Sequence, residues 1–405
     1  MTDSKALLDG VDASLRKLAT HVRDWRRYLH RHPEPSGEEF KTTSYIVHIL
    51  EEHNVPFRIA PSGRGVVVDS HPEGSVPYRV ALRADIDALR MQDEKTVTYH
   101  SRERNRMHAC GHDAHTAMLL GATLGLYSNR EHLQEISWRA IFQPAEETAT
   151  GALEMMDAGA IDGVDCIVAL HVDPYYNVGT VAYREGALTA NCVEFSVQVE
   201  GCGGHGARPH QAHDPLAAAA SFVQQTYAEI PRISDSRDPS ILTFGVFQSG
   251  INPNVIPERA QLRGTLRSVA PETAQKMKAW LERLGHAVGL VHGVSIQIDF
   301  PANLGNVLND PQITRTCRIA AQEVVGRDNI IPIEQCSMGG EDFANYLKHI
   351  PGCMLRLGCG SPGTTPYPLH SPFFDIDEGS LSIGAHVLAH CAVHLASTHT
   401  PEDGP

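Results

Sequence analysis

"MHACGHDAH", residues 107–115, sets Cys110, His112 and His115 within one short stretch otherwise built of small and apolar residues. Thiolate and imidazole bind zinc and similar borderline divalent ions. The same types also serve a nucleophilic cysteine with its base, or pack as ordinary core residues at the start of a helix. The stretch alone leaves all three readings open. Further groups with the same chemistry stand at Glu146 and Glu147 in "PAEET", His171 in "ALHVDP" and His370 in "PLHSPFF". Taken singly each is ordinary packing or surface, so the argument rests on their coincidence. Adjacent carboxylates such as Glu146 and Glu147 repel unless cations or solvent exposure offset the repulsion. On a solvated helix the pair is unremarkable. Beside a metal pair the two divide the labour, one binding an ion while its neighbour takes a proton from an activated water.

These residues need a scaffold, and 405 residues exceed one ordinary globular core, so two domains are expected. The formal charge of −14, with no basic run to track a phosphate backbone, argues against nucleic acid as a partner. Nine scattered cysteines, an odd number without CxxC pairs, predict reduced thiols instead of a disulfide framework. The amino-terminal residues lack the apolar centre of a signal peptide, and no unbroken apolar stretch is long enough to cross a bilayer. The expectation is a cytoplasmic protein without a membrane partner.

Apolar positions at helical spacing (Leu7, Leu8, Leu15, Leu18, Val22, Trp25, Leu29) predict a helix over 5–31, with a second over 36–53. Short strand-like apolar runs predict strands at 65–70, 79–87 and 137–147, with helices at 114–127 and 150–158. This pattern predicts an α/β catalytic domain, a central mixed sheet flanked by helices, with the reactive residues where strands end. From 189 to 302 the rhythm changes to strand, helix, strand, strand, helix, strand, the order of a ferredoxin-like α+β unit inserted into the larger domain. Asp214 followed by Pro215 marks the start of its first helix. Residues 303–405 then return to the first domain formed by 1–188, with helices over 311–326 and 380–397.

Seven stretches in order, "RADIDAL" (83–89), "MHACGHDAH", "QPAEE" (143–147), "GCGGHGARPH" (201–210), "NVIP" (254–257), "SMGGEDF" (337–343) and "LHSPFFDIDE" (369–378), resemble the motifs of the M20 metallopeptidase family. The branch they resemble is the amidohydrolases that include hippurate hydrolase and auxin-conjugate hydrolases. That resemblance implies two divalent metal ions, zinc or manganese. It implies Cys110 as a bridging thiolate, His112 and His171 on one ion, Glu147 and His370 on the other, and Glu146 as general base. Asp87 would lie behind the metals and orient a ligand or the base, with Asp113 and His115 supporting the ligands. By the same resemblance the inserted domain is a lid and a dimerisation surface, in a homodimer or higher homo-oligomer. His205 would stabilise the oxyanion, on its own or a neighbouring subunit's site, while Asn254 and Arg267 hold the substrate carboxylate. Two positions depart from the family pattern: Arg90 stands where proline usually follows "DAL", and Cys202 where a lysine often precedes "GGHG".

The activity so implied is hydrolysis of the amide bond of an N-acyl amino acid or a similar small conjugate. A dipeptidase, carboxypeptidase or deacetylase of an amino-acid intermediate shares the same metal-centre motifs. Two rivals come from other classes: a thiol hydrolase using Cys110, and a non-catalytic metal-binding scaffold. Structural zinc sites are usually closed by four closely spaced cysteine or histidine ligands, which the dispersed set here is not.

Overall fold

The computed structural model of the chain describes residues 4–71, 78–364 and 366–398. The chain opens with helices α1 (Ser4–Arg31) and α2 (Phe40–Glu52), then β1 (Arg58–Ile59), β2 (Val66–Asp69), β3 (Arg79–Asp85), α3 (His112–Ser128), β4 (Ser137–Gln143), α4 (Gly151–Asp157), β5 (Cys166–Asn177), β6 (Val181–Tyr183) and β7 (Gly186–Ala187). There follow β8 (Asn191–Glu200), β9 (Gly204–His205), α5 (Pro215–Ile233), β10 (Ser240–Ser249), β11 (Val255–Ile256), β12 (Arg259–Ser268), α6 (Pro271–His292) and β13 (Ser295–Leu304). The chain closes with β14 (Leu308–Asn309), α7 (Pro311–Val325), β15 (Ile330–Pro332), β16 (Gly352–Gly360) and α8 (Gly379–Ser397). Packing divides it into two units. One comprises the chain up to Leu188 with Val307–Gln335 and everything from Glu341; the other comprises Thr189–Asn306 with Cys336–Gly340.

The first unit holds a mixed eight-stranded sheet in the order β1-β2-β4-β3-β5-β16-β6-β15. Parallel pairs join β3 to β4 and β5, β5 to β16, and β6 to β15. Alternate residues serve opposite faces. Val66, Val68, Val80, Leu82, Val168 and Leu170 pack toward α1, α3, α7 and α8, while Val67, Ala81, Ile141, Ile167 and Ala169 pack toward α4 and the 3-10 turn Asp342–Lys348. Strands covered on both faces read as continuous apolar runs without alternation. Strands β5 and β16, central in the sheet, are absent from the sequence-based assignment, whereas β3 and β4, buried in the same way, fall within runs it assigns to strands.

Several boundaries differ from the sequence expectation for local reasons. The second helix starts at Phe40 instead of 36, because Gly37 sits at φ 87° in the turn after Pro35. The third begins at His112 instead of near Ala114, so His112 opens the helix instead of preceding it in a loop. The strand expected over 137–147 ends at Gln143, where Pro144 lacks a backbone donor and Ala145 turns to φ 53°. Among the described residues, one helix, α8, is long and apolar enough to cross a membrane by length and composition alone, and 72% of that stretch is buried in the protein. Ser382, His386, His390 and His394 interrupt its apolar run in the sequence. None of the nine cysteines forms a disulfide.

The second unit is a four-stranded antiparallel sheet in the order β10-β12-β8-β13, the ferredoxin-like arrangement. Along β8, Val193, Phe195, Val197 and Val199 turn inward to a core shared with α5 and α6. The Asp214 carboxylate accepts hydrogen bonds from the Leu216 and Ala217 amides at 2.9 and 3.3 Å and caps α5, a contribution of about 1 kcal/mol. Strand β13 continues past Phe300 through a bulge to Leu304, and the segment 336–340 joins this unit through Ala190 N–H donating to Ser337 O at 2.8 Å.

Candidate metal centre

The carboxyl ends of β3 and β4, the first turn of α3 and the middle of β5 converge in the first unit, where parallel sheets commonly hold ligands. Gly111 caps α3 at φ 89°, and a Cβ there would lie 2.3 Å from Val172 Cγ2. Glycine is therefore required between Cys110 and His112. Each nearby imidazole can be accounted for atom by atom. His112 Nδ1 lies 3.0 Å from both Asp87 O and Asp87 Oδ1, so it donates there, and Nε2 is buried with no hydrogen-bond partner. His171 Nδ1 lies 2.7 Å from Val172 O, turning Nε2 toward Cys110 Sγ at 3.5 Å. His115 has no nitrogen left for a ligand role: Nδ1 meets Asp85 Oδ1 at 2.6 Å, and Nε2 accepts from Val172 N–H at 2.9 Å. It fixes the strand beside His171. His108, fully buried with neither ring nitrogen hydrogen-bonded, is pushed down by burial to about 4 and packs as a neutral ring.

The two glutamates are presented by a strained turn. Ala145 and Ala149 take φ 53° and 56°, left-handed values that cost about 1–3 kcal/mol each in residues other than glycine and persist only where the surroundings hold them. What holds them is specific. Ala145 N–H donates to the buried Glu39 carboxylate at 2.7 Å, Ala149 N–H to Glu146 O at 2.7 Å, and Glu147 N–H to Asp87 Oδ2 at 3.0 Å. Asp87 thus orients His112 with one oxygen and the Glu147 backbone with the other. His370, itself at φ 63°, is tied by its N–H to Ala109 O at 2.8 Å, and its Nε2 stands 3.2 Å from Glu147 Oε1.

The resulting geometry contains two sets of three ligand atoms, each set lying within 4.8 Å of one another: Cys110, His112 and His171, and Cys110, Glu147 and His370. The sulfur is common to both. Donor chemistry in the sets suits a pair of borderline divalent ions. Two buried atoms without hydrogen-bond partners, His112 Nε2 and Glu147 Oε1, face this space. Burial opposes charge on His112, yet the Asp85 carboxylate and the hydrogen bond to Asp87 hold its proton affinity well above the ordinary imidazole range. A proton at that nitrogen stands where a cation would satisfy the same negative groups. Burial pushes the Cys110 thiol up to about 12, so the protein alone does not supply a thiolate at neutral pH. Burial, and then the charge of Arg356 and the neighbouring His115, keep His171 neutral, with its proton affinity well below the usual range. Glu146 is raised well above the usual carboxylate range by burial and by the Glu341 and Asp342 carboxylates; its Oε1 accepts from Asp342 N–H at 3.4 Å.

Several supporting charges escape the sequence reading. Arg83, fully buried, contacts Asp85 at 2.7 Å, Asp342 at 2.9 Å and Glu341 at 3.2 Å, and donates to Gln143 Oε1 at 2.8 Å. A charged residue inside the apolar strand "RVALRAD" is the signal that could have found this cluster, since buried charge demands partners. Behind α3, Asp113 receives Arg26 Nε at 2.8 Å and contacts His30 Nδ1 at 2.7 Å; Arg26 also donates to Asp375 at 2.8 Å. Burial opposes its charge, but Arg26 and His30 hold the Asp113 carboxyl well below the usual carboxylate range. Arg26→Leu strands that carboxylate and is expected to destabilise the chain by about 3–5 kcal/mol, measured by urea unfolding at neutral pH. A loss under about 1 kcal/mol would mean that the pair is dispensable.

The second unit carries the other three sequence-predicted residues. His205 lies on β9 opposite Val255, and Asn254 accepts from Gly206 N–H at 2.8 Å, so the two share one short ribbon. His205 Nδ1 accepts from Ala207 N–H at 3.0 Å, which makes Nε2 the N–H donor of the neutral ring. Arg267, on β12, donates to Met338 O at 2.6 Å. Of the two departures from the motif pattern, Arg90 pairs with Glu38 at the surface, and Cys202 has an exposed side chain while its backbone exchanges two hydrogen bonds with that of His213.

Residues 81–394 match the model of peptidase family M20/M25/M40. The chain belongs to this family. Among M20 relatives, an N-acetyl-L-cysteine deacetylase of Bacillus subtilis is 34% identical over 92% of this chain and 88% of its own length. A thermostable carboxypeptidase of Saccharolobus solfataricus is 32% identical over 93% of this chain and 96% of its own. The crystal structure of the YXEP protein of Bacillus subtilis, described as a dinuclear metal-binding peptidase of the M20 family, matches with TM-score 0.80 and 31% identity, covering 95% of this chain and 99% of that one. The chain is accordingly an M20-family metal-dependent hydrolase.

Proposed function

We propose that the chain hydrolyses the amide bond of an N-acyl amino acid or a similar small conjugate at a pair of divalent ions, zinc or manganese, held by Cys110, His112, Glu147, His171 and His370. The observation that carries this reading is the pair of three-atom sets sharing the Cys110 sulfur. Ions bound there supply polarisation of the scissile carbonyl and lower the pKa of water from ~15.7 to roughly 7. The chain's residues do the rest. Glu146 accepts a proton from the attacking water and returns it to the leaving nitrogen, and its raised proton affinity suits both transfers. His205 offers its Nε2 proton to the developing oxyanion, while Asn254 and Arg267 hold the substrate carboxylate. The second unit serves as lid and as the surface of a homodimer. Its edge strand β10, with Ile241 and Phe247 exposed, supports that role.

A thiol-nucleophile mechanism is disfavoured by the same geometry, because burial raises the Cys110 thiol and His171 is set by its bond to Val172 O to face the sulfur as a ligand does. Deacetylase and carboxypeptidase relatives bracket the substrate class. A panel of N-acyl amino acids, dipeptides and longer peptides decides it: kcat/KM is expected to be highest for the N-acyl amino acids, and a preference for unblocked dipeptides would overturn the assignment. Asp87→Ala releases both His112 Nδ1 and the Glu147 backbone and is expected to reduce metal affinity or activity by about 10–100-fold. Metal titration of that variant checks the loss, and wild-type affinity would remove Asp87 from the site.

A further inference from the structure

Away from this centre, α8 presents His386, His390 and His394 at intervals of four residues, one face of the helix. Asp12 of α1 and Glu323 of α7 meet that face. His390 Nε2 lies 2.9 Å from Asp12 Oδ1, and since a carboxylate only accepts, the proton sits on Nε2 and the lone pair on Nδ1. That Nδ1 is buried with no hydrogen-bond partner, in a side chain only 6% exposed, and it faces Glu323 Oε2 at 3.5 Å. Two acceptors aimed at each other repel unless a positive charge lies between them. His394 Nε2 lies 2.8 Å from the same oxygen and donates its proton to it, so an ion seated here would take the place of that proton. One ligand atom each from Glu323, His390 and His394 falls within a 4.8 Å group.

We infer that Glu323, His390 and His394 form a second metal site for a single divalent ion of the zinc, nickel or cobalt class, separate from the catalytic pair. Histidines four apart on a helix offer two imidazoles to one ion, and a carboxylate from another element completes a three-ligand set. Asp12 plays the part that carboxylates play behind metal-bound histidines, fixing the His390 tautomer and leaving the coordinating nitrogen bare. Glu323 is 45% exposed in its side chain and His394 15%, so the ion has a path from solvent and room for water as its remaining ligand. Bound there, the ion clasps the last turns of α7 to α8 and, through Asp12, to α1.

The test uses the full chain, stripped by chelator, dialysed against zinc, and measured for zinc content by elemental analysis. Wild type is expected to hold one more ion per chain than His394→Asn or Glu323→Gln. Both positions are solvent-accessible, and both variants should keep wild-type hydrolytic activity. The difference of one ion does not depend on how many the catalytic centre takes, so the result stands or falls apart from the proposed reaction. Zinc should also raise the melting temperature of wild type above that of either variant under the same loading. Equal zinc content in all three proteins would overturn the site and leave the cluster as a set of hydrogen bonds between histidines and carboxylates.

Discussion

Exhaustive chelation of the full chain is expected to abolish amide hydrolysis, and return of zinc or manganese to restore it. The size of the effect follows from what the chain lacks without ions. Its carbonyl-polarising groups would be reduced to hydrogen-bond donors, and Glu146 alone would face water with a pKa of ~15.7. Lewis-acid stabilisation is worth several kcal/mol, and each 1.36 kcal/mol is tenfold in rate, so a loss of about 10³-fold or more is expected. A thiol hydrolase would behave differently. Its nucleophile would survive the chelator, whereas here burial raises the Cys110 thiol to about 12 and only a cation makes the sulfur an anion. Full activity in protein shown by elemental analysis to be free of metal would exclude the dinuclear reading.

Glu146→Gln should lower kcat by about 10²–10⁴-fold while both ions remain bound. Glutamine keeps the shape of the side chain and removes its ability to carry a proton between water and the leaving amine. The buried carboxyl also predicts the pH profile. A base works only when ionised, and burial with the Glu341 and Asp342 charges holds Glu146 protonated to higher pH than an ordinary carboxylate of pKa about 4.3. Activity should therefore fall as falling pH protonates Glu146, with that acid limb missing from the residual rate of the Gln variant. A variant that keeps wild-type kcat, or loses its ions, would assign Glu146 to another role.

Much of this arrangement is legible in the sequence because it is written locally. The 3.6-residue period of α1, the Asp-Pro starts of α5 and α7, and the alternation along β8 each follow from neighbours in the chain. The clustering of Cys110 and His112 is also local, since one glycine separates them. What escaped depends on long-range contacts. Strands β5 (in its first half) and β16 are buried on both faces, so no two-residue period reveals them. Asp85, Glu39 and Arg83 read as single charges until folding sets them against His115, Ala145 and Asp342. The same limit applies on α8: the four-residue spacing of its histidines is visible in the chain, whereas Asp12 and Glu323 arrive from elements far away in sequence.

Anomalous diffraction from crystals of the metal-loaded chain, collected at the absorption edge of the bound metal, tests the central assignment most directly. Two peaks are expected in the first unit, one coordinated by Cys110, His112 and His171, the other by Cys110, Glu147 and His370, at about 2.0–2.3 Å from the ligand atoms. Peaks that bypass Cys110, or their absence from this cleft in a crystal of active enzyme, would contradict it.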